Sequence, residues 1–263
     1  MTEQLTQLDE QMAALETAAT RATRTAAFCA IPSCVLVLHR DRLDVRVDRP
    51  MRAARATVPL RRTVQGVGAV VLAVRVALAG QGWAVEVDRL PRPDDPELLA
   101  VLRPVARAPE VGLAPLAAVA AGGPLRRRTS GPRPPSSALL DLLRRAATLE
   151  DTVLVPVVDG PDRQLVEQLD GEARNVLAGR PAGRVPRPRT TGPGTVLLLT
   201  TTTDDELAWL RSGEALERVL LTLAQQGRVA TVLADVLSVP TTRGRLRSAL
   251  CWDDHPQALV ELG

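Results

Sequence analysis

The chain contains very few aromatic residues. Tyrosine is absent, Phe28 is the one phenylalanine, and aromatic residues make up 2% of the 263 positions. The core must therefore be filled by Val, Leu and Ala, which the apolar content of 45% allows. Proteins that hold nucleic acids usually combine aromatic platforms with a clustered basic excess. With 33 basic residues against 30 acidic ones, and a net charge of +3, this sequence makes a nucleic-acid binder an unfavourable interpretation.

Cysteine and long apolar runs are scarce as well. Cys29, Cys34 and Cys251 are odd in number and lack the spacing of metal ligands, which excludes a disulfide framework or a zinc site and favours a reducing compartment. The longest apolar run, residues 67–74, is far shorter than the roughly 18 residues of a membrane span. The acidic N-terminal segment does not have the pattern of a signal peptide. We therefore predict a cytoplasmic protein with no metal and no membrane contact.

Hydrophobic periodicity predicts a mixture of helices and strands. Helices are expected over residues 5–28, 62–81, 97–102, 114–121, 138–149, 163–177 and 204–226, and in two short pieces over 241–262. Strands are expected over residues 34–39, 43–48, 83–90, 152–158, 195–200 and 229–236. The polar link 40–42 predicts a hairpin turn. Ser136 or Ser137, and Thr203 or Asp204, are expected to cap the helices that follow them.

The two long helices suggest an internal repeat. An offset of 145 residues aligns Gly68 with Gly213, and with them several further pairs: Val74 with Val219, Leu78 with Leu223, Gly82 with Gly227, and Val87 with Val232. The alternative is two unrelated helices that each end at an ordinary C-terminal glycine. The repeat predicts two related halves, residues 1–123 and 124–263, that form a pseudo-dimer inside one chain. It also predicts that helices 62–81 and 204–226 pack near each other.

Several stretches occur in the order and spacing of a known family. They are residues 74–78, 82–83, 86–87, 90–96, 98–100, 126–129, 209–222, 256–259 and 262–263. In these stretches the chain resembles the Acg-type nitroreductase-like proteins, which carry two nitroreductase half-domains in one polypeptide. The resemblance implies an α+β sandwich, with FMN at the seam between the halves and hydride supplied by NAD(P)H.

The resemblance also implies cofactor-binding residues. Arg127, Arg128 and Thr129 match a basic motif for the FMN phosphate, although a solvated run of charges is the alternative. Ser212 and Gly213 match the small-residue platform beneath the flavin ring, although small residues at a helix crossing are expected in any packed fold. No catalytic residue is assigned.

The sequence also departs from the family pattern. Gly131 stands where a further arginine of the phosphate motif is expected. Residues 30–33 are followed directly by the apolar run 34–38, where the family has a polar segment for the edge of the ring. Losing such contacts, at ~1.5–3 kcal/mol for each charge-assisted hydrogen bond, weakens cofactor binding by powers of ten. We therefore expect FMN to be bound weakly or not at all.

Two functions remain open from the sequence. The sequence favours the first, a degenerate nitroreductase-fold protein without stably bound FMN that acts by binding, sequestration or regulation, in redox or dormancy stress. The second is an FMN-dependent NAD(P)H oxidoreductase of nitroreductase type. The expected ligands are a flavin or another phosphate-bearing small molecule, and a protein partner or a homodimer is compatible with either function.

Overall fold

The computed structural model describes residues 2–25, 34–47, 60–122, 134–158, 160–179 and 195–263. Within these ranges the chain is a mixed α/β protein. Its helices are α1 (Thr2–Thr25), α2 (Leu60–Ala79), α3 (Leu113–Ala121), α4 (Ser137–Thr148), α5 (Gly160–Leu177), α6 (Glu206–Gln225), α7 (Asp235–Ser238) and α8 (Pro240–Leu250). Its strands are β1 (Cys34–Leu38), β2 (Leu43–Val47), β3 (Ala84–Arg89), β4 (Leu98–Val105), β5 (Val153–Val157), β6 (Val196–Thr201), β7 (Ala230–Val232) and β8 (His255–Leu262).

The first sheet has the strand order β1-β2-β4-β3, with antiparallel neighbours throughout. The hairpin predicted around residues 40–42 is present, and the His39 N–H donates to the Arg42 carbonyl at 2.9 Å. The helix predicted over residues 97–102 was wrong, because these residues begin β4. A short apolar run is compatible with either structure. Here pairing with β2 on one side and β3 on the other makes it a central strand.

The second sheet has the order β5-β6-β8-β7, which is the same order as in the first sheet. The chain end was predicted to be helical up to residue 262, and this was wrong beyond Leu250. Residues 255–262 instead form β8, which lies between β6 and β7 and uses its apolar residues to fill both sides of the sheet. Strand β7 is shorter than predicted, since residues 235–238 form α7.

Both sheets carry a β-bulge at the corresponding place. In the first sheet Val45 pairs with Ala100 and the next residue pairs with Leu98, so Leu99 is the extra residue. In the second sheet Leu199 pairs with Ala258 and the next residue pairs with Pro256. The extra residue there is Gln257. Bulges re-aim side chains, and this one places a polar side chain in a buried position.

The helix ends follow ordinary capping chemistry. Ser136 caps α4 by accepting from the Leu139 N–H at 3.2 Å, as one of the two predicted caps. The cap of α6 is Asp205, not Thr203 or Asp204, because the helix begins two residues later than expected and the Asp205 carboxylate accepts from the Ala208 N–H at 2.8 Å.

Helices cover one face of the first sheet and both faces of the second. Helices α1 and α2 pack on one face of the first sheet, and α4 and α6 pack on one face of the second. The other face of the second sheet is covered by α5, α7 and α8. Helices α2 and α6 pack against each other, as the repeat predicted, and share a cluster that includes Leu72, Val76 and Leu221.

Helix α2 is long and apolar enough to cross a membrane, but 83% of its apolar stretch is buried inside the protein. Burial of this kind is typical of the core helix of a soluble protein. The mixed α/β architecture is compatible with a nitroreductase-like fold.

Candidate functional site at the helix crossing

Helices α2 and α6 approach each other most closely at two glycines. A Cβ atom added at Gly68 would lie closer than 3.0 Å to the Leu210 carbonyl oxygen, and one added at Gly213 equally close to the Gln65 carbonyl oxygen. The two contacts are reciprocal, since Gln65 and Leu210 are separated by the same 145 positions as the two glycines. Only glycine allows this approach of backbone to backbone. The crossing therefore fixes the position of every side chain around it.

Buried polar side chains line one side of the crossing, and we call them the polar seam: Arg61, Gln65, Ser212 and Gln257. Gln65 Nε2 donates to Ser212 Oγ at 3.0 Å and to the Gln257 carbonyl at 2.9 Å. Ser212 Oγ in turn donates to the Trp209 carbonyl at 2.9 Å. The seam joins α2, α6 and the bulge of β8 by side-chain hydrogen bonds.

Arg61 is the unusual member of the polar seam. It is 7% exposed, and its guanidinium donates to the backbone carbonyls of Gln257 at 3.1 Å and Leu237 at 2.5 Å. In the part of the chain that the structure describes, no carboxylate forms an ion pair with it. Burial, reinforced by the positive charge of Arg243, lowers the pKa of Arg61 to about 10. A buried cation is ordinarily paired, so Arg61 is a charge that an anionic or carbonyl-bearing ligand would complement.

Asp204 anchors the far end of the seam. Its carboxylate accepts two hydrogen bonds from the Arg243 guanidinium, both at 2.8 Å, one from Trp209 Nε1 at 2.7 Å and one from Gln257 Nε2 at 3.2 Å. Burial by itself raises the pKa of Asp204, but the hydrogen bonds from Arg243 and Trp209 outweigh it and hold the pKa well below its usual range. Asp204 is thus a fixed negative charge that neutralises Arg243 and orients the Gln257 amide.

A second set of charged residues crosses the other side of α2 and α6, and we call it the ion-pair cluster: Arg75, Arg89, Glu110, Glu150, Glu214 and Arg218. Arg75 donates to Glu214 at 2.6 Å, Glu150 at 2.8 Å and Glu110 at 2.6 Å. Arg218 donates to the other oxygen of Glu110 at 2.6 Å. Most of these pairs connect a residue before position 123 with one after it, so the cluster fastens the two sheets' helices together.

The electrostatics of the ion-pair cluster are those of a structural network in which three arginines are balanced by three glutamates. Burial lowers the pKa of Arg75, but the carboxylates of Glu214 and Glu150 outweigh it and raise that pKa above its ordinary value. Burial and the neighbouring Glu214 raise the pKa of Glu150. Each guanidinium is committed to at least one carboxylate. The ion-pair cluster is therefore a weaker candidate for a ligand-binding site than the polar seam.

Glu217 is a buried acid, and within the described ranges neither of its carboxyl oxygens has a hydrogen-bond partner. It is 1% exposed, and burial raises its pKa to about 8. Helical spacing places it on the face of α6 that carries Gly213 and Leu221, four residues before and after it, and both of these residues contact α2 or share its apolar cluster. At neutral pH the helix interface thus contains a protonated carboxyl group.

The predicted cofactor residues fall into two groups. Arg127, Arg128 and Thr129 lie outside the described residues. Ser212 and Gly213 lie at the crossing, Ser212 within the polar seam and Gly213 against the backbone of Gln65. Gly213 therefore serves helix packing, which was the alternative to a cofactor role for a small residue at this position. The cofactor role of the five residues stays a prediction.

The polar seam can be tested against the chemistry of a flavin. The isoalloxazine ring presents an imide edge, with carbonyl oxygens on either side of an N–H group, and proteins tune it through hydrogen bonds and nearby charge. Among the described residues, Arg61 is a cation without a carboxylate partner, and Gln257 Oε1 is a buried acceptor without a hydrogen-bond partner. Buried polar groups are ordinarily satisfied. In donor and acceptor type, these two groups fit the carbonyl and N–H positions of such an edge.

Comparison with known proteins gives independent information on the family resemblance. The chain is similar to two provisionally named NAD(P)H nitroreductases. They come from Mycobacterium tuberculosis strains CDC 1551 and H37Rv, and each is 28% identical over 262 residues, covering 82% of this chain and 75% of the relative. No family model matches the chain. The similarity supports the nitroreductase-like resemblance in its broad form, while the Acg-type assignment and the eroded flavin site stay predictions.

Proposed function

We propose that this protein is an NAD(P)H-dependent oxidoreductase of nitroreductase type that uses FMN. The observation that carries the proposal is the similarity to the two named nitroreductases over most of both chains. This choice reverses the order of preference that the sequence favoured, because the relatives' names support oxidoreductase chemistry and nothing in them supports a regulatory role. We also propose an Acg-type architecture and a cytoplasmic location.

We further propose that the chain is a fused pair of related halves with the cofactor at their seam. Three observations support this arrangement. The two sheets have the same strand order, their bulges fall at corresponding positions, and the contacts at Gly68 and Gly213 are reciprocal. The resemblance implies that the flavin lies at the seam between the halves, and we assign the polar seam to that position.

The residues have different proposed roles toward the cofactor. Arg127, Arg128 and Thr129 hold the phosphate, since guanidinium and hydroxyl groups are suited to it. Arg61 and Gln257 face the polar edge of the ring, and Ser212 and Gly213 hold the crossing that positions them. When bound, FMN supplies the hydride chemistry. The protein's own groups bind it, orient it and exclude water.

A flavin-free protein that binds, sequesters or regulates is the second candidate. The observation that favours it is β1, whose five residues from Cys34 to Leu38 are all apolar where the resemblance implies a polar segment. Flavin nitrogen and oxygen atoms buried against such a strand would lack partners, at ~1–3 kcal/mol for each group.

FMN binding to the purified full-length protein separates the two candidates. Titration followed by flavin fluorescence and by calorimetry is expected to saturate near one FMN per chain. Arg127→Gln combined with Arg128→Gln is expected to weaken binding by roughly tenfold or more for each lost charge-assisted contact. Arg144→Gln, an exposed arginine on α4, is the control and leaves the affinity unchanged. Absence of saturable FMN binding in the unmodified protein would favour the flavin-free candidate.

A further inference from the structure

The two sheets differ in the connection between their last two strands. In the second sheet this connection carries α7 and α8. In the first sheet it is the short loop 90–97. Leu90 opens the loop in a left-handed conformation, with φ of 50°, which is uncommon for a residue that has a Cβ atom. Asp95 holds the loop down through two hydrogen bonds from the Arg46 guanidinium of β2, both at 2.9 Å.

A pocket of about 180 Å³ lies between this loop and the sheet. Its lining includes Asp44 and Val101, which pair directly across β2 and β4 and are 8% and 4% exposed. Asp44 is fixed by Arg42 Nε at 3.0 Å and by His39 Nε2 at 2.9 Å. Pockets for drug-sized ligands run to roughly 300–1,000 Å³. This pocket is therefore too small for a flavin and suits a small ion or the end group of a ligand.

The charges around the pocket favour an anion. Arg42, Arg92 and Arg103 line it together with Asp44 and Asp88, which leaves one excess positive charge. Arg42 is already engaged with Asp44. In the described parts of the chain, Arg92 and Arg103 have no ion-pair partner. Their guanidinium groups offer planar pairs of N–H donors, the geometry that binds the oxygens of phosphate and carboxylate groups.

We propose that this pocket binds a small oxyanion, a phosphate or carboxylate group, between Arg92 and Arg103. Strain of the kind seen at Leu90 concentrates at binding sites, where the surrounding structure holds it in place. The paired Arg42 and Asp44 form a fixed floor, and Arg92 and Arg103 contact the anion from the loop and from β4. The pocket lining contains none of the residues proposed to hold the flavin, so either proposal can fail without the other.

Anion binding to the full-length protein tests the proposal. Melting temperature and calorimetric heat are measured against inorganic phosphate, acetate and chloride at matched ionic strength, because unspecific screening depends on ionic strength alone. Saturable stabilisation by phosphate identifies a phosphate site, and by acetate a carboxylate site. Asp88→Asn removes from the lining a negative charge that repels the anion, and it is expected to strengthen anion binding several-fold.

Variants assign the effect to the pocket. Arg92→Gln combined with Arg103→Gln is expected to abolish saturable binding, while Arg107→Gln retains it. Arg107 follows the same strand and is 61% exposed, but it does not line the pocket. Equal responses to all three anions, or binding that survives the double substitution with unchanged affinity, would overturn the proposal.

Discussion

The buried carboxyl of Glu217 yields a stability prediction with a defined sign and size. Burial raises its pKa from 4.5 to about 8. Between these values the folded protein holds a proton that the unfolded chain has released. The free energy of unfolding therefore falls as the pH rises, by about 1.4 kcal/mol for each pH unit, and the fall ends above the folded-state pKa. Glu217→Gln removes the titrating proton and keeps the shape of the side chain.

Urea unfolding as a function of pH measures this effect. Between about pH 5 and about pH 7, Glu217→Gln is expected to lose about 2–3 kcal/mol less stability than the unmodified protein. Glu16→Gln makes the same chemical change at an exposed position of α1 and should follow the unmodified protein at every pH. Parallel curves for Glu217→Gln and the unmodified protein would show that the carboxyl is not held protonated in the folded state, and the reasoning would fail.

Two further predictions concern the contacts that join α2 and α6. Gly213→Ala is expected to destabilise the protein by about 3 kcal/mol, because its Cβ meets the backbone of Gln65. The control is Gly244→Ala, in α8 with open space around it, which is expected to stabilise the protein by up to about 1 kcal/mol. Equal effects of the two substitutions in urea unfolding would contradict the tight crossing. Glu110→Gln takes one counter-charge from two buried arginines and is expected to cost about 2 kcal/mol, below the ~3–5 kcal/mol of a fully buried pair since Glu110 is 38% exposed. Glu86→Gln, at an exposed pair of 3.6 Å, should cost less than about 0.5 kcal/mol, and a loss as small for Glu110 would show that the cluster does not fasten the helices.

The sequence was most informative where periodicity extended over many residues. Helices α2 and α6 were predicted within about two residues at each end, since a long amphipathic or apolar helix repeats its signal over several turns. The glycines that meet at the crossing were found from their 145-residue spacing. Strands β4 and β8 were missed as strands, because their apolar runs are short and their conformation depends on partners distant in the chain.

The candidate site was only partly accessible from the sequence. Gln65 and Arg75 are polar residues within the largely apolar stretch 64–79 of α2, and this was an available signal for a buried polar contact. Gln257 had no such signal, because it is buried by a bulge that depends on the register of β6 and β8. The ion-pair cluster draws on separate segments of the chain, so no local pattern could have assembled it.

The central claim is that the protein performs flavin-dependent oxidoreduction, and NAD(P)H oxidation by the FMN-supplemented protein tests it most directly. The measurement follows loss of NAD(P)H absorbance with a quinone or a nitroaromatic acceptor, alongside the same mixture without protein. We expect protein-dependent turnover that requires FMN and is lowered by Arg61→Gln, with flavin binding measured in parallel. An FMN-free protein that neither binds added flavin nor oxidises NAD(P)H would contradict it.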